Sequence, residues 1–356
     1  MKFIDLFAGI GGFRFGMESA GHECVAFCEI DKFARASYKA IHNTEGEIEL
    51  HDITTVTDEE IRNIGHVDVI CGGFPCQAFS IAGARRGFED TRGTLFFEIA
   101  RFAAILKPKY LFLKNVKGLL NHDKGDTFET ILSALDELGY DVEWQVLNSK
   151  DFGVPQNRER VFIIGHLRGD RGRKVFPIGG EDEKSSAKRL GINILGNTKN
   201  PNGTAQGTRD IVCDPKGIVG TLTTTDYKGP KQVAIPNEIK KYGVLQPKIR
   251  VREATKQGCA EASVGDSVNL SHPNSKTRRG RVGEGIANTL VTGDSQGVVT
   301  PNFRIRKLTP RECWRLQGFP DWAFDKAQEV NSNSQLYKQA GNSVTVNVIK
   351  EIARYL

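Results

Sequence analysis

The chain has 356 residues, too many for one small core, and fits two domains, one of them small. Its composition, 39% hydrophobic and 26% charged, is that of a soluble globular protein. No apolar run reaches the roughly 18–20 residues that a membrane span needs. Net charge is +6 but unevenly spread: residues 184–300 hold 18 Lys and Arg against nine Asp and Glu, leaving the remainder mildly acidic. A basic segment on an acidic body points to a polyanion partner, nucleic acid first; a solvated lysine-rich surface is the alternative.

The N-terminal run is short, strand-like and interrupted by Asp5, unlike a signal peptide, so a cytoplasmic chain is expected. The seven cysteines have scattered spacings. Cys24 and Cys28 are four apart, but no second pair follows, so no metal site is expected.

In chain order, residues 2–7 read as a strand, 14–20 as a helix, 23–29 as a strand and 32–42 as a helix. A strand at 67–71 enters a Gly-Gly-Phe-Pro turn. Residues 95–106 have helical period, 110–113 form a strand, and 128–138 form a helix closed by Gly139. Strands at 142–148 and 160–166 complete the series. This alternation predicts an α/β fold: a doubly wound, mostly parallel sheet covered on both faces.

From about residue 170 the texture turns to Gly, Asn, Thr, Ser and Lys. Two fragments echo each other, one around Thr221-Leu222 and one around Thr289-Leu290; they read as β-hairpin arms of a β/loop-rich surface module or as a degenerate repeat. Thr309-Pro310-Arg311-Glu312 carries a capping box that starts a helix, and residues 345–356 read as an amphipathic helix. The expected division is 1–169, a catalytic domain; 170–303, a target recognition domain; and 304–356, whose final helix returns to the first.

The turn Phe7-Ala8-Gly9-Ile10-Gly11-Gly12 follows a strand and opens a helix, which suits close approach of backbone to a ligand or simply a tight turn. Glu29, about twenty residues on, stands where doubly wound folds bind a ribose diol, and Asp52 offers a second acid. No Gly-Lys-Ser/Thr phosphate loop is present, which favours a nucleoside without phosphates. Cys76, in Gly72-Gly73-Phe74-Pro75-Cys76-Gln77 past a buried strand, is either a nucleophile or an inert core thiol. Arg158 and Arg160 share a strand face, where they could favour a thiolate, bind phosphate or form a solvated edge.

These motifs, with Gln156-Asn157-Arg158-Glu159-Arg160, Leu316-Gln317-Gly318-Phe319-Pro320 and Gln339-Ala340-Gly341-Asn342-Ser343-Val344, resemble in order and spacing the bacterial-type DNA (cytosine-5-)-methyltransferase family over nearly the whole chain. The resemblance implies an S-adenosyl-L-methionine pocket of Phe7, Gly9, Ile10, Gly12, Glu29, Ile30, Asp52, Ile53, Pro75 and Leu95, closed by Asn342 and Val344. Cys76 would be the nucleophile, adding to the 6-carbon of a flipped cytosine so that its 5-carbon can take the methyl group. Arg158 and Arg160 would hold that nucleotide. Gln77, Ser80, Arg85 and Arg86 would contact double-stranded DNA, with Thr221, Leu222, Thr289 and Leu290 in the recognition region. A monomer is implied, with a cognate restriction endonuclease as a candidate system partner.

One position departs from the family. It expects Glu-Asn-Val where this chain has Lys114-Asn115-Val116. The glutamate hydrogen-bonds ring nitrogen 3 and accepts from the exocyclic amine; an ammonium has donors only. Strongly reduced activity is therefore expected. The alternatives are a catalytically silent, sequence-specific DNA-binding protein on the same scaffold and a methyltransferase acting on RNA.

Overall fold

The computed structural model describes residues 1–75, 95–169, 173–179, 248–271, 281–290, 296–300 and 305–356, with backbone alone at 194–197, 211–213 and 305–307. Two compact units emerge. One comprises Met1–Pro177, Asn288–Ser295 and Leu308–Leu356; the other comprises Ile178–Ala287 and Gln296–Lys307. The expected boundary at 169 thus moves to 177, and 288–295 leaves the expected recognition block for the first unit.

The first unit is built on β1 (Lys2–Leu6), β2 (Glu23–Cys28), β3 (Ile48–Leu50), β4 (Val69–Gly72), β5 (Tyr110–Val116), β6 (Tyr140–Asn148) and β7 (Glu159–Leu167). Their spatial order is β3-β2-β1-β4-β5-β7-β6. Pairing is parallel from β3 through β5 and antiparallel where β7 meets β5 and β6. The helices are α1 (Gly12–Ser19), α2 (Lys32–Ile41), α3 (Asp58–Asn63), α4 (Leu95–Leu106), α5 (Asp126–Glu137), α6 (Pro310–Leu316), α7 (Asp321–Val330), α8 (Asn333–Asn342) and α9 (Val346–Ala353).

Side chains alternate across a strand, so each strand supplies both layers. Ile4, Leu6, Leu111, Leu113, Val161 and Ile163 join α4 and α5 in one fully buried cluster. The opposite face meets α1 and α2: Phe13 lies edge-on to Phe112 at 5.0 Å, and Phe27 stacks on Tyr38 at 4.4 Å. Against α1 lies α9 from the far end of the chain, so close that a Cβ on Gly16 would stand 2.4 Å from Ile349. The capping box is present at α6, where Glu312 Oε2 accepts from the Thr309 N–H at 2.7 Å.

The second unit is made of short antiparallel pieces. β8 (Ile194–Asn197) pairs with β9 (Ile211–Cys213), and β10 (Ile249–Arg252) pairs with β11 (Cys259–Ala262). β12 (Ser267–Asn269), β13 (Val282–Gly283), β14 (Gln296–Val299) and β15 (Ile305–Lys307) form a four-stranded sheet. Its described apolar core is a small cluster centred on Val251, Ala262, Val268 and Val299.

Candidate active site

Strands β1 to β4 run parallel and end at one sheet edge. β2 and β3 lie to one side of β1, β4 and β5 to the other, so the winding reverses between β1 and β4. Open α/β sheets bind ligands at that reversal, outside the carboxyl ends of the strands.

The glycine turn sits there. Phe7, Gly9 and Gly11 take φ of +56°, +57° and +84°, a left-handed run that side chains with a Cβ rarely adopt. A Cβ on Gly11 would fall 2.1 Å from His42 Nε2, and one on Gly12 would fall 2.7 Å from Val344 Cγ1. Val344 therefore packs under the turn, and Ile10 beside it is buried.

Glu29 follows β2. One carboxylate oxygen accepts from Gly9 N–H and the other from Asp31 N–H, both at 2.8 Å. Burial raises the Glu29 pKa, while those two amides pull it down. Each oxygen keeps a second lone pair for a ligand hydroxyl. Next to it Ile30 is 67% exposed, although large and apolar. After β3, Asp52 accepts from the Thr54 side chain and backbone, which lowers its pKa, and Ile53 is buried. After β4, Pro75 is exposed, and Leu95 opens α4 half-buried. Asn342 is exposed at the end of α8. The strand ends thus gather Phe7, Gly9, Glu29, Ile30, Asp52 and Pro75 along one edge, whereas Ile10, Gly12, Ile53 and Val344 serve as packing beneath it.

A second cluster lies on β5 and β7. The register pairs Lys114 with Phe162 and Val116 with Arg160, so Lys114 and Arg160 project from one face, and Arg158, just before β7, adds its charge to theirs. Lys114 reaches toward the β4 exit: its Nζ is 4.0 Å from where a Gly73 Cβ would be. Among the described residues its ammonium has neither a hydrogen-bond partner nor an ion pair. Desolvation, and then the charges of Arg158 and Arg160, push its pKa well below the usual lysine value.

Arg158 is 2% exposed. Its terminal nitrogens donate to Leu290 O, Gly341 O and Ser343 O at 3.0, 2.9 and 2.8 Å. It therefore works as an internal strut between β7, residue 290 and the 341–343 turn, with only Nε unpartnered. Arg160 donates to Glu159 O and likewise keeps a buried, unpartnered Nε. Thr289 and Leu290 are no exposed hairpin arm. The Thr289 hydroxyl donates to Asn157 O at 2.6 Å, Leu290 N–H donates to Gln156 Oε1 at 3.0 Å, and the Leu290 side chain is buried. Burying that leucine and satisfying its amide outweigh the exposure that the echo with Thr221-Leu222 suggested. Cys76, Gln77, Ser80, Arg85, Arg86, Thr221 and Leu222 lie outside the described residues.

Three positioning residues escaped the sequence reading. Asn115 Nδ2 donates to Phe74 O at 3.1 Å, tying β5 to the loop that leads to Cys76. Gln156 holds Leu290 N–H and donates to Leu316 O at 2.8 Å. His42 fills the space behind Gly11. Asn115 and Gln156 stand inside motifs already singled out, but one sequence does not say which motif members touch ligand and which touch backbone.

Among known proteins, the family description "C-5 cytosine-specific DNA methylase" matches residues 1–356. The chain is 38% identical over 359 residues to the type II methyltransferase M.HhaI of Haemophilus parahaemolyticus, covering 99% of this chain and 93% of that one. It is 33% identical over 433 residues to the orphan methyltransferase M.SPRI of Bacillus phage SPR, covering 100% and 97%. The fold is shared with the S. pombe Dnmt2 methyltransferase, at TM-score 0.53 and 16% identity over 99% of this chain and 96% of that one. It is shared as well with the Entamoeba histolytica methyltransferase EhMeth, at TM-score 0.54 and 18% identity over 100% and 97%.

Proposed function

Because this chain belongs to the C-5 cytosine-specific DNA methylase family, we propose that it methylates the 5-carbon of a flipped cytosine in a specific duplex sequence, at a rate held down by Lys114. The observation that carries the reading is the glycine turn locked to Glu29 at the sheet reversal.

That edge fits S-adenosyl-L-methionine. Glu29 keeps free lone pairs for ribose hydroxyls, and Ile30 offers an uncovered apolar surface for an adenine face. Phe7, Gly9, Asp52, Pro75, Leu95 and Asn342 complete the rim. When bound, the cofactor supplies an electrophilic methyl group. Cys76 is assigned the nucleophile's role, adding to the 6-carbon so that the 5-carbon becomes electron-rich. Asn115 steadies the loop that leads to it, and Arg160 supplies positive charge beside the base.

At the base edge the expected carboxyl group has two oxygens: one serves ring nitrogen 3 and the other the exocyclic amine. The Lys114 nitrogen, protonated or neutral, is a single atom and cannot make both bonds in good geometry. Losing one positioned electrostatic group costs about 10²–10³ in rate. Lys114→Glu should therefore raise methyl transfer to DNA by at least about a hundredfold, read as labelled methyl incorporation into duplex DNA. An unchanged rate would remove Lys114 as the limiting residue. A silent sequence-specific DNA-binding protein is the second reading, favoured by the uncompensated cations at that face. Trapping on duplex DNA containing 5-fluorocytosine separates the two, because only an attacking Cys76 gives a covalent adduct.

A further inference from the structure

Three basic side chains come together here, Lys114 on β5, Arg160 on β7 and Arg158 just before β7, and among the described residues none of them has an acidic partner. Two of them, Arg158 and Arg160, keep a buried Nε with nothing to donate to. Buried unpartnered donors are costly, and a buried charge normally finds a counter-charge. Among the described residues, no negatively charged oxygen stands against these donors. Lys114 keeps part of its surface accessible, so a small molecule can reach it.

We propose that Lys114 is a carbamylation site, whose side-chain amine takes up dissolved carbon dioxide to give a carbamate held by Arg158 and Arg160. The amine lone pair attacks the carbon of carbon dioxide and an N–C bond forms. One C=O π pair moves to oxygen, and one N–H proton leaves to solvent. No electrons are gained or lost, and no other reactant is needed. Most lysines are excluded because a protonated amine has no lone pair to attack with. Here desolvation and the two neighbouring arginine charges hold the amine toward its neutral form. The product replaces that amine with an anion whose two oxygens can accept from the unpartnered Nε of Arg158 and of Arg160. The carbamate restores the sign of charge that the family keeps at this position. It does so further along a longer side chain, beside Gly73.

The inference stands apart from the methyl-transfer reading, since its readout is the modified side chain itself. The native protein would be equilibrated with ¹³C-labelled bicarbonate in mildly alkaline buffer and followed by ¹³C NMR. One carbamate resonance is expected that Lys114→Arg and Lys114→Met both lack; any signal those variants retain belongs to the Met1 amine. Arg160→Gln should raise the carbon dioxide level needed for half-occupancy by at least about tenfold, the worth of one charge-assisted hydrogen bond. Thermal unfolding would verify that each variant is folded. Identical spectra for the native protein and Lys114→Arg at saturating bicarbonate overturn the proposal, as does an occupancy indifferent to Arg160→Gln.

Discussion

At the level of single residues, the site is governed by what burial does to charge. Lys114 is legible in the sequence as a departure from Glu-Asn-Val. Its proton affinity is not, because that depends on two arginines more than forty residues away that only strand pairing brings near. His42 was invisible for the same reason. It ended a predicted helix and gave no hint that its ring would fill the hollow behind Gly11. Burial, helped by the charge of Arg14, lowers its pKa from 6.5 to about 3. The unfolded chain binds this proton near pH 6.5, whereas the folded protein refuses it until about pH 3. The stabilisation is therefore complete above pH 6.5 and is lost progressively as pH falls toward 3. His42→Gln should flatten that decline by up to about 1.4 kcal/mol per pH unit. Denaturant titrations across the acid range would check it; parallel curves for parent and variant would contradict it.

Among the elements, the alternation of strands and helices was readable from period alone, and the glycine turn was readable from composition. The true length of β5 was not. Its apolar run stops at Leu113, yet the strand continues through Lys114, Asn115 and Val116 because β7 pairs with it residue by residue to Arg160. β3, three residues long, carries too little pattern to be seen. Packing also sorts glycines that look alike in sequence. Gly12→Ala would drive a methyl group to 2.7 Å from Val344 Cγ1 and 2.9 Å from its carbonyl oxygen. It should cost about 1–3 kcal/mol of stability and weaken cofactor binding. Gly73→Ala meets nothing nearer than Lys114 Cδ at 3.6 Å, so its change should stay within about 0.5 kcal/mol. Thermal unfolding of the two variants side by side tests the contrast, and equal losses would mean that the α1–Val344 contact relaxes freely.

For the molecule as a whole, charge asymmetry and the change of texture near residue 170 announced two units. The return of residues 288–290 to the first was hidden, because the hydrogen bonds of Gln156, Asn157 and Arg158 to Thr289 and Leu290 draw them there, not their own composition. In the second unit Arg250 and Arg252 stand exposed on one face of β10, with Val251 buried between them. If both meet phosphate, replacing them with Ala should reduce the slope of log affinity against log salt by about 2. Fluorescence anisotropy with duplex DNA would measure it, and an unaltered slope would take this hairpin out of the footprint. The intimacy of Gly16 with Ile349 has a consequence in time as well as in space. A ribosome releases roughly 5–20 residues per second, so α1 must wait on the order of half a minute for the helix that seals it. Throughout that interval the face of α1 around Gly16 stays without the helix that covers it in the finished fold.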